Sequence, residues 1–224
     1  MTSFPRHVDT VVLDVDGTLV DSNYHHTLAW WQSFHEQGRQ VQAWRIHRAI
    51  GMGGDRLVAA VAGDEAEREV GDAVRDGWEQ HYDKHLDDIV PFPGARELLA
   101  ELDDRGFRVA LASSGIPRHT EHAKEVLEAG GRVGTTTTSE DAGESKPHPE
   151  LIEVALDRVD ATHAVLVGDS VWDVRSASNA GLPVIALLCG GFGRAELEEE
   201  GATVVLEDLQ ELRRRLDELV RAMS

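Results

Sequence analysis

The sequence predicts an α/β fold: a doubly wound, mainly parallel sheet interrupted by an inserted all-helical domain. Three observations carry this. Apolar runs at 11–13, 107–112, 164–167, 183–188 and 203–206 are short, unalternating and rich in β-branched residues, the pattern of strands covered on both faces. Helical patterns separate the later runs, and such alternation winds a parallel sheet whose ligands bind at the carboxyl ends of its strands. Between about residues 21 and 90 the strand runs give way to helical patterns. The 224 residues suit one or two domains. The expected division is a core of 1–20 and 91–224 with an insertion of 21–90.

The first run, Val11-Val12-Leu13, ends in Asp14-Val15-Asp16-Gly17-Thr18-Leu19. Alternate strand side chains share a face, so Asp14 and Asp16 leave the sheet on the same side. Two carboxylates that close repel, and a cation or a shared proton must relieve them. Gly17 permits the turn that follows. In the insertion, Tyr24, Leu28, Trp31 and His35 share one helical face and Gly38 is a stop, with further helices at 42–50, 55–62 and 65–86. Trp30, Trp31, Trp44 and Trp78 fall in this block and are expected to supply its small core.

Past the insertion, Ala95 to Arg105 carries Leu98, Leu99 and Leu102 on one face. The run Val109-Ala110-Leu111-Ala112 ends in Ser113-Ser114-Gly115, and Ser145-Lys146-Pro147 supplies a lysine. Pro149 to Val159 presents Leu151, Ile152, Ala155, Leu156 and Val159 as a helical stripe. The run Val165-Leu166-Val167 leads into Gly168-Asp169-Ser170-Val171-Trp172-Asp173. The last helix, Glu207 to Met223, is expected to dock on the sheet through Leu209, Leu212, Leu216 and Leu219.

A net charge of −19 argues against nucleic acid or anionic membrane as partners. The longest apolar run, Val184 to Cys189, is too short to span a bilayer. Residues Met1 to Arg6 lack the apolar stretch of a signal peptide, and the single cysteine, Cys189, excludes an internal disulfide. A cytoplasmic protein is expected, a monomer or small homo-oligomer.

Four motifs in order, spanning Asp14 to Asp173, resemble the haloacid dehalogenase superfamily of Mg-dependent phosphohydrolases, and within it the phosphoglycolate phosphatase and β-phosphoglucomutase-like branch. The resemblance implies a Rossmann-like core closed by a helical cap, the inserted block, with segments near 18–22 and 88–93 as its hinges. It implies Asp14 as the nucleophile that forms an aspartyl-phosphate, and Asp16 as general acid and then general base. Mg²⁺ would be held by Asp14, Asp169 and the backbone carbonyl of Asp16, with Asp173 holding metal waters. Without the resemblance, the carboxylates argue for a metal site but do not choose the nucleophile.

Ser113 can offer its hydroxyl to a phosphoryl oxygen, helped by the Ser114 and Gly115 amides. Lys146, one of three lysines in an arginine-rich chain, fits as a compact point charge against Asp14 and the phosphate. As the resemblance implies, haloalkanoate dehalogenases and phosphonatases keep no acid two residues after the nucleophile, so Asp16 speaks against C–Cl and C–P cleavage. Lys84, the only lysine of the cap, reads as solvent-exposed in Asp83-Lys84-His85. In the cap, Arg56 is the expected substrate contact, with Arg45 and Arg48 behind it. His26 matches a histidine often found in the family after the first hinge, and is expected to line the cleft. His81 and His85 read as a helix-surface pair, since no third metal ligand accompanies them.

The expected function is therefore a Mg-dependent phosphatase of a small phosphorylated metabolite, phosphoglycolate or a sugar phosphate. A phosphosugar mutase is the alternative. A non-catalytic binding protein would be expected to lose one of Asp14, Asp16, Lys146 or Asp169.

Overall fold

The computed structural model describes residues 8–223, so the leading segment, read above for its lack of an apolar stretch, lies outside the described residues. Strands β1 (Thr10–Leu13), β2 (Arg108–Ala112), β3 (Thr135–Thr137), β4 (Ala164–Gly168), β5 (Val184–Leu187) and β6 (Val204–Leu206) pair in parallel in the order β3-β2-β1-β4-β5-β6. β1 is followed by the four helices of the insertion, α1 (Asn23–Glu36), α2 (Ala43–Ala49), α3 (Gly54–Ala62) and α4 (Asp64–Tyr82), and by a 3₁₀ turn, Asp83–Asp88. The remaining helices, α5 (Ala95–Asp104), α6 (Pro117–Val126), α7 (Glu150–Arg158), α8 (Val171–Asn179), α9 (Arg194–Glu199) and α10 (Leu209–Ala222), follow in the α/β part. Among the described residues no helix is long and apolar enough to cross a membrane.

The unalternating strand runs are explained by burial on both faces. Val11 and Leu13 point into one apolar layer with Leu98 and Leu102 of α5 and Leu212 and Leu216 of α10. Val12 points into the other, with Ile152 and Ala155 of α7 and Val174 of α8. The last helix thus docks on the core as expected. The sheet has one strand more than the sequence runs predict. β3 is Thr-only, pairs with β2 alone and keeps two of its three residues half-exposed, so it needed no apolar run.

The cap is helical, but the apolar face predicted for its first helix is the wrong one. Tyr24, Leu28 and Trp31 are 59%, 48% and 41% exposed, whereas Ala29, Trp30 and Phe34 are buried. Apolar residues lie all round α1, and α4 decides which side is covered: Trp30 stacks on Trp78 at 4.8 Å, and the Ser33 hydroxyl donates to the Val74 carbonyl at 2.6 Å. The cap core therefore uses Trp30 and Trp78, while Trp44 stands 62% exposed. The two chain crossings run side by side, Asp21 N–H donating to Val90 O and Phe92 N–H to Leu19 O, both at 2.9 Å.

Candidate active site

β1 lies between β2 and β4, so the residues after these three strands converge at one end of the sheet, at its topological switch point. Asp14 follows β1, Ser113 follows β2 and Asp169 follows β4. The chain leaves β1 through a turn at Gly17, whose φ of +81° suits glycine; a Cβ there would lie 2.2 Å from the Asn23 amide. Thr18 Oγ1 reaches Asp169 Oδ1 at 2.7 Å and Asp14 Oδ2 at 3.1 Å, and Asn23 Nδ2 donates to Asp169 Oδ2 at 3.0 Å. Gly190 makes room for Asp169, since a Cβ would fall 1.7 Å from its Oδ2.

Lys146 is fully buried and donates to Asp14 Oδ1 and, at 2.7 Å, to Asp173 Oδ1. Asp173 is fixed by the first turn of α8: its Oδ2 accepts from the Ser170 amide at 3.0 Å and hydroxyl at 2.6 Å, half of a reciprocal capping box. Oxygens of Asp14, Asp169 and Asp173 lie within 4.8 Å of one another, all three residues buried. Three carboxylates against the one ammonium of Lys146 leave two formal negative charges in a buried site. Burial pushes the Asp14 carboxyl up; Lys146 pulls it down, and Asp173 and Asp16 push against that, leaving it at about 7. Burial, then Asp173 and Asp14, hold Asp169 well above the ordinary carboxylate range. Burial works against the Lys146 charge, but Asp14 and Asp173 outweigh it and keep the ammonium protonated. Hard oxygen donors with two uncompensated formal charges suit a divalent cation.

Asp16 is set apart from this trio. Its Oδ1 accepts from Ser22 Oγ at 2.6 Å and faces His26 Nε2 at 3.1 Å, and its Oδ2 lies 3.5 Å from Ser113 Oγ. Burial pushes its carboxyl up, yet His26 and the Ser22 hydroxyl bring it down to about 2. Trp78 Nε1–H donates to His26 Nδ1 at 3.3 Å. An indole only donates, so the ring hydrogen of His26 is assigned to Nε2, toward Asp16. Of the groups expected at the metal, Asp16 contributes no side-chain oxygen to the cluster, which leaves its backbone carbonyl as the atom the resemblance implies. Ser113 is buried, accepting from the Gly115 amide at 2.9 Å and facing Thr120 Oγ1 at 3.3 Å. Ser114 is drawn toward the cap, its hydroxyl donating to Gly51 O at 3.2 Å.

Asp14, Asp16, His26, Ser114 and Gly115 line a cavity between core and cap. Arg56 does not. It reaches outward to Glu144 at 2.7 Å and stands 38% exposed, because the acidic loop before Lys146 captures it. Arg48 pairs with Glu196 and lies over Phe192, and Arg45 lies over the exposed Trp44 ring. His81 faces Glu36 and His85, on the 3₁₀ turn, faces Asp88, so the two do not form a metal pair. Lys84 is exposed, as expected. Sequence reasoning missed Thr18, Ser22, Asn23, Thr120, Ser170 and Trp78. Thr18 and Ser170 lie inside the quoted motifs, where an unassigned hydroxyl beside a catalytic acid was the available signal. Asn23 meets a partner 146 residues away and carried none.

Comparison with known proteins finds relatives along most of the chain. A phosphoglycolate phosphatase of Pseudomonas syringae pv. syringae (strain B728a) is 29% identical over 210 residues, 90% of this chain and 77% of that protein. A pyrophosphatase PpaX of Oceanobacillus iheyensis is 24% identical over 209 residues, 92% of this chain and 95% of its own. The crystal structure of a hydrolase from Pseudomonas syringae superposes with a TM-score of 0.89 at 30% identity, covering 94% of this chain and 98% of that one. Residues 8–181, from the start of β1 through α8, match the haloacid dehalogenase-like hydrolases, and the chain belongs to that family.

Proposed function

We propose that this phosphatase hydrolyses a small phosphomonoester through an aspartyl-phosphate on Asp14, with Mg²⁺ as its cofactor. The observation that carries the reading is the divided environment of two carboxylates two residues apart. Asp14 sits against Lys146 beside Asp169 and Asp173, whereas Asp16 turns to His26, Ser22 and Ser113. An Asp14 oxygen attacks phosphorus while the bond to the leaving oxygen breaks. Asp16 gives that oxygen a proton, then takes one from the water that cleaves the aspartyl-phosphate and releases phosphate. In the ligand-free site Asp16 is ionised; the negative charge of an arriving phosphate favours its protonated form. Lys146 opposes charge on Asp14 and the transferring group, and the Ser113 hydroxyl and Gly115 amide stand at the same strand end as donors. The divalent cation, when bound, neutralises the carboxylate cluster and polarises a phosphoryl oxygen.

The names of the relatives, phosphoglycolate phosphatase and pyrophosphatase, support phosphate release from small substrates. A panel of phosphate esters at matched concentration with Mg²⁺, each reaction acid-quenched and the protein mapped by mass spectrometry, tests the reading. Phosphate release with label on the Asp14 peptide is expected. A panel with no phosphate release would end it, and a sugar phosphate isomerised without release would move the protein to the mutases.

A further inference from the structure

The cap side of the cavity has no charge to offer a substrate. The space over Asp14 and Asp16 is ≈ 50 Å³, room for roughly three to five water molecules. Its cap wall is Trp30, Ile50, Met52, Gly54, Leu57 and Trp78, and no lysine or arginine lines it among the described residues. The cap's nearby cations already have partners: Arg56 pairs with Glu144 at 2.7 Å, Arg75 with Glu67 at 2.8 Å, Asp72 at 2.9 Å and the Gly54 carbonyl at 3.2 Å, and Arg48 with Glu196. His26 has no free nitrogen, with Asp16 on one side of the ring and the Trp78 indole on the other. The N-terminus of α3 at Gly54 already carries its own acid, Asp55, in the first turn.

A second anionic group on the substrate would lose its hydration against this wall with nothing to pair it. A polyol would leave hydroxyls unmatched, since His26 is engaged at both ring nitrogens, the Gly51 carbonyl already accepts from Ser114, and the other polar side chains of the lining belong to the core end. A hydrocarbon surface loses nothing and gains contact with the indoles and aliphatic side chains. Resting on the phosphatase reading above, we infer that the alcohol released is compact, uncharged and apolar where it meets the cap. The substrates are then phosphomonoesters of small hydrophobic alcohols, and carboxylate-bearing, pyrophosphate and sugar esters are disfavoured.

The test compares kcat/KM with Mg²⁺ for methyl, ethyl, propyl and butyl phosphate, 2-phosphoglycolate, pyrophosphate and glucose 6-phosphate. Alkyl leaving groups differ little in intrinsic reactivity, so their trend reads contact with the wall. An increase of about threefold to fourfold per methylene is expected until the space is filled. 2-Phosphoglycolate should fall at least about tenfold below propyl phosphate. Met52→Lys, at a half-buried position, should raise the 2-phosphoglycolate to propyl phosphate ratio at least about tenfold, and by more than Met52→Gln, which adds polarity without charge. The charged or polyol substrates leading in the wild type, a flat alkyl series, or an unmoved ratio in a folded Met52→Lys would each overturn the inference while the phosphatase reading stands. Phosphate release from none of the seven would instead remove the phosphatase reading and this inference with it.

Discussion

The core and the cap share one cavity and bring opposite chemistry to it. The core delivers charge: Asp14 and Asp169 after strands, Asp173 in the first turn of α8 and Lys146 in the loop before α7, all buried. The cap delivers two indoles, aliphatic side chains, a backbone carbonyl and the His26 ring, which is held by Asp16 and Trp78. Charged chemistry demands particular residue types at fixed points of the backbone, so little else can stand at those positions. A wall has to be apolar and of the right volume, and several sequences meet that demand. The difference teaches where a sequence commits itself to a reaction and where only to a shape.

Removing the metal should break the core side completely. Chelation is expected to abolish phosphate release, with Mg²⁺ restoring it and Ca²⁺ inhibiting, because calcium takes more ligands at longer distance than an in-line geometry tolerates. Full turnover in excess chelator would show that the two uncompensated charges of the cluster are met another way.

Asp14→Asn tests the same side with one atom. A loss of at least about 10³-fold in kcat is expected with the fold intact; a variant keeping a tenth of the rate would place the nucleophile elsewhere. Stability should respond in the opposite direction. The Asp14 carboxyl stands at about 7 in the fold against an ordinary value of 3.8, so the fold holds its proton more tightly than the unfolded chain. That contribution is full below about pH 4 and is lost as pH rises through about 7. In chelator, Asp14→Asn should therefore melt higher than the wild type at pH 8, and the gap should close toward pH 4. A constant gap across that range would mean the carboxylate is not the group responsible.

These core features were legible early for a physical reason. Five of the six strands, and the strand-end positions of Asp14, Ser113 and Asp169, follow from unalternating runs that end in polar residues, whereas Asp16, Lys146 and Asp173 are marked out by their motifs. β3 was invisible because an edge strand of three threonines buries too little to need an apolar run. The buried face of α1 was misread because both faces carry large apolar residues, and only the position of α4 separates them. Asn23, and the part Trp78 plays beyond the cap core, were invisible in kind, since each acts through a partner far along the chain, Asp169 in one case and His26 in the other.

The α1 misreading becomes a comparison within the cap. Phe34→Ala, at a fully buried ring, should cost about 3–5 kcal/mol in chemical denaturation. Trp31→Ala, three residues earlier on the exposed face, should cost about 1 kcal/mol or less. Similar losses at both would mean that the outer stripe of Tyr24, Leu28 and Trp31 is covered in solution.

The smallest effect is expected at Arg56, the one cap cation that the sequence placed at the substrate. Its guanidinium bonds Glu144 across the cap–core boundary with the two side chains 38% and 56% exposed, and ion pairs that wet contribute about 0–1 kcal/mol. It lines no part of the cavity over Asp14. Arg56→Ala should therefore change kcat/KM less than about threefold, and by the same factor for every ester in the panel. A selective loss on 2-phosphoglycolate would show that the guanidinium leaves Glu144 and turns inward when an anionic substrate binds. The cap would then supply charge after all, and the contrast between the two halves of the site would fail at this residue first.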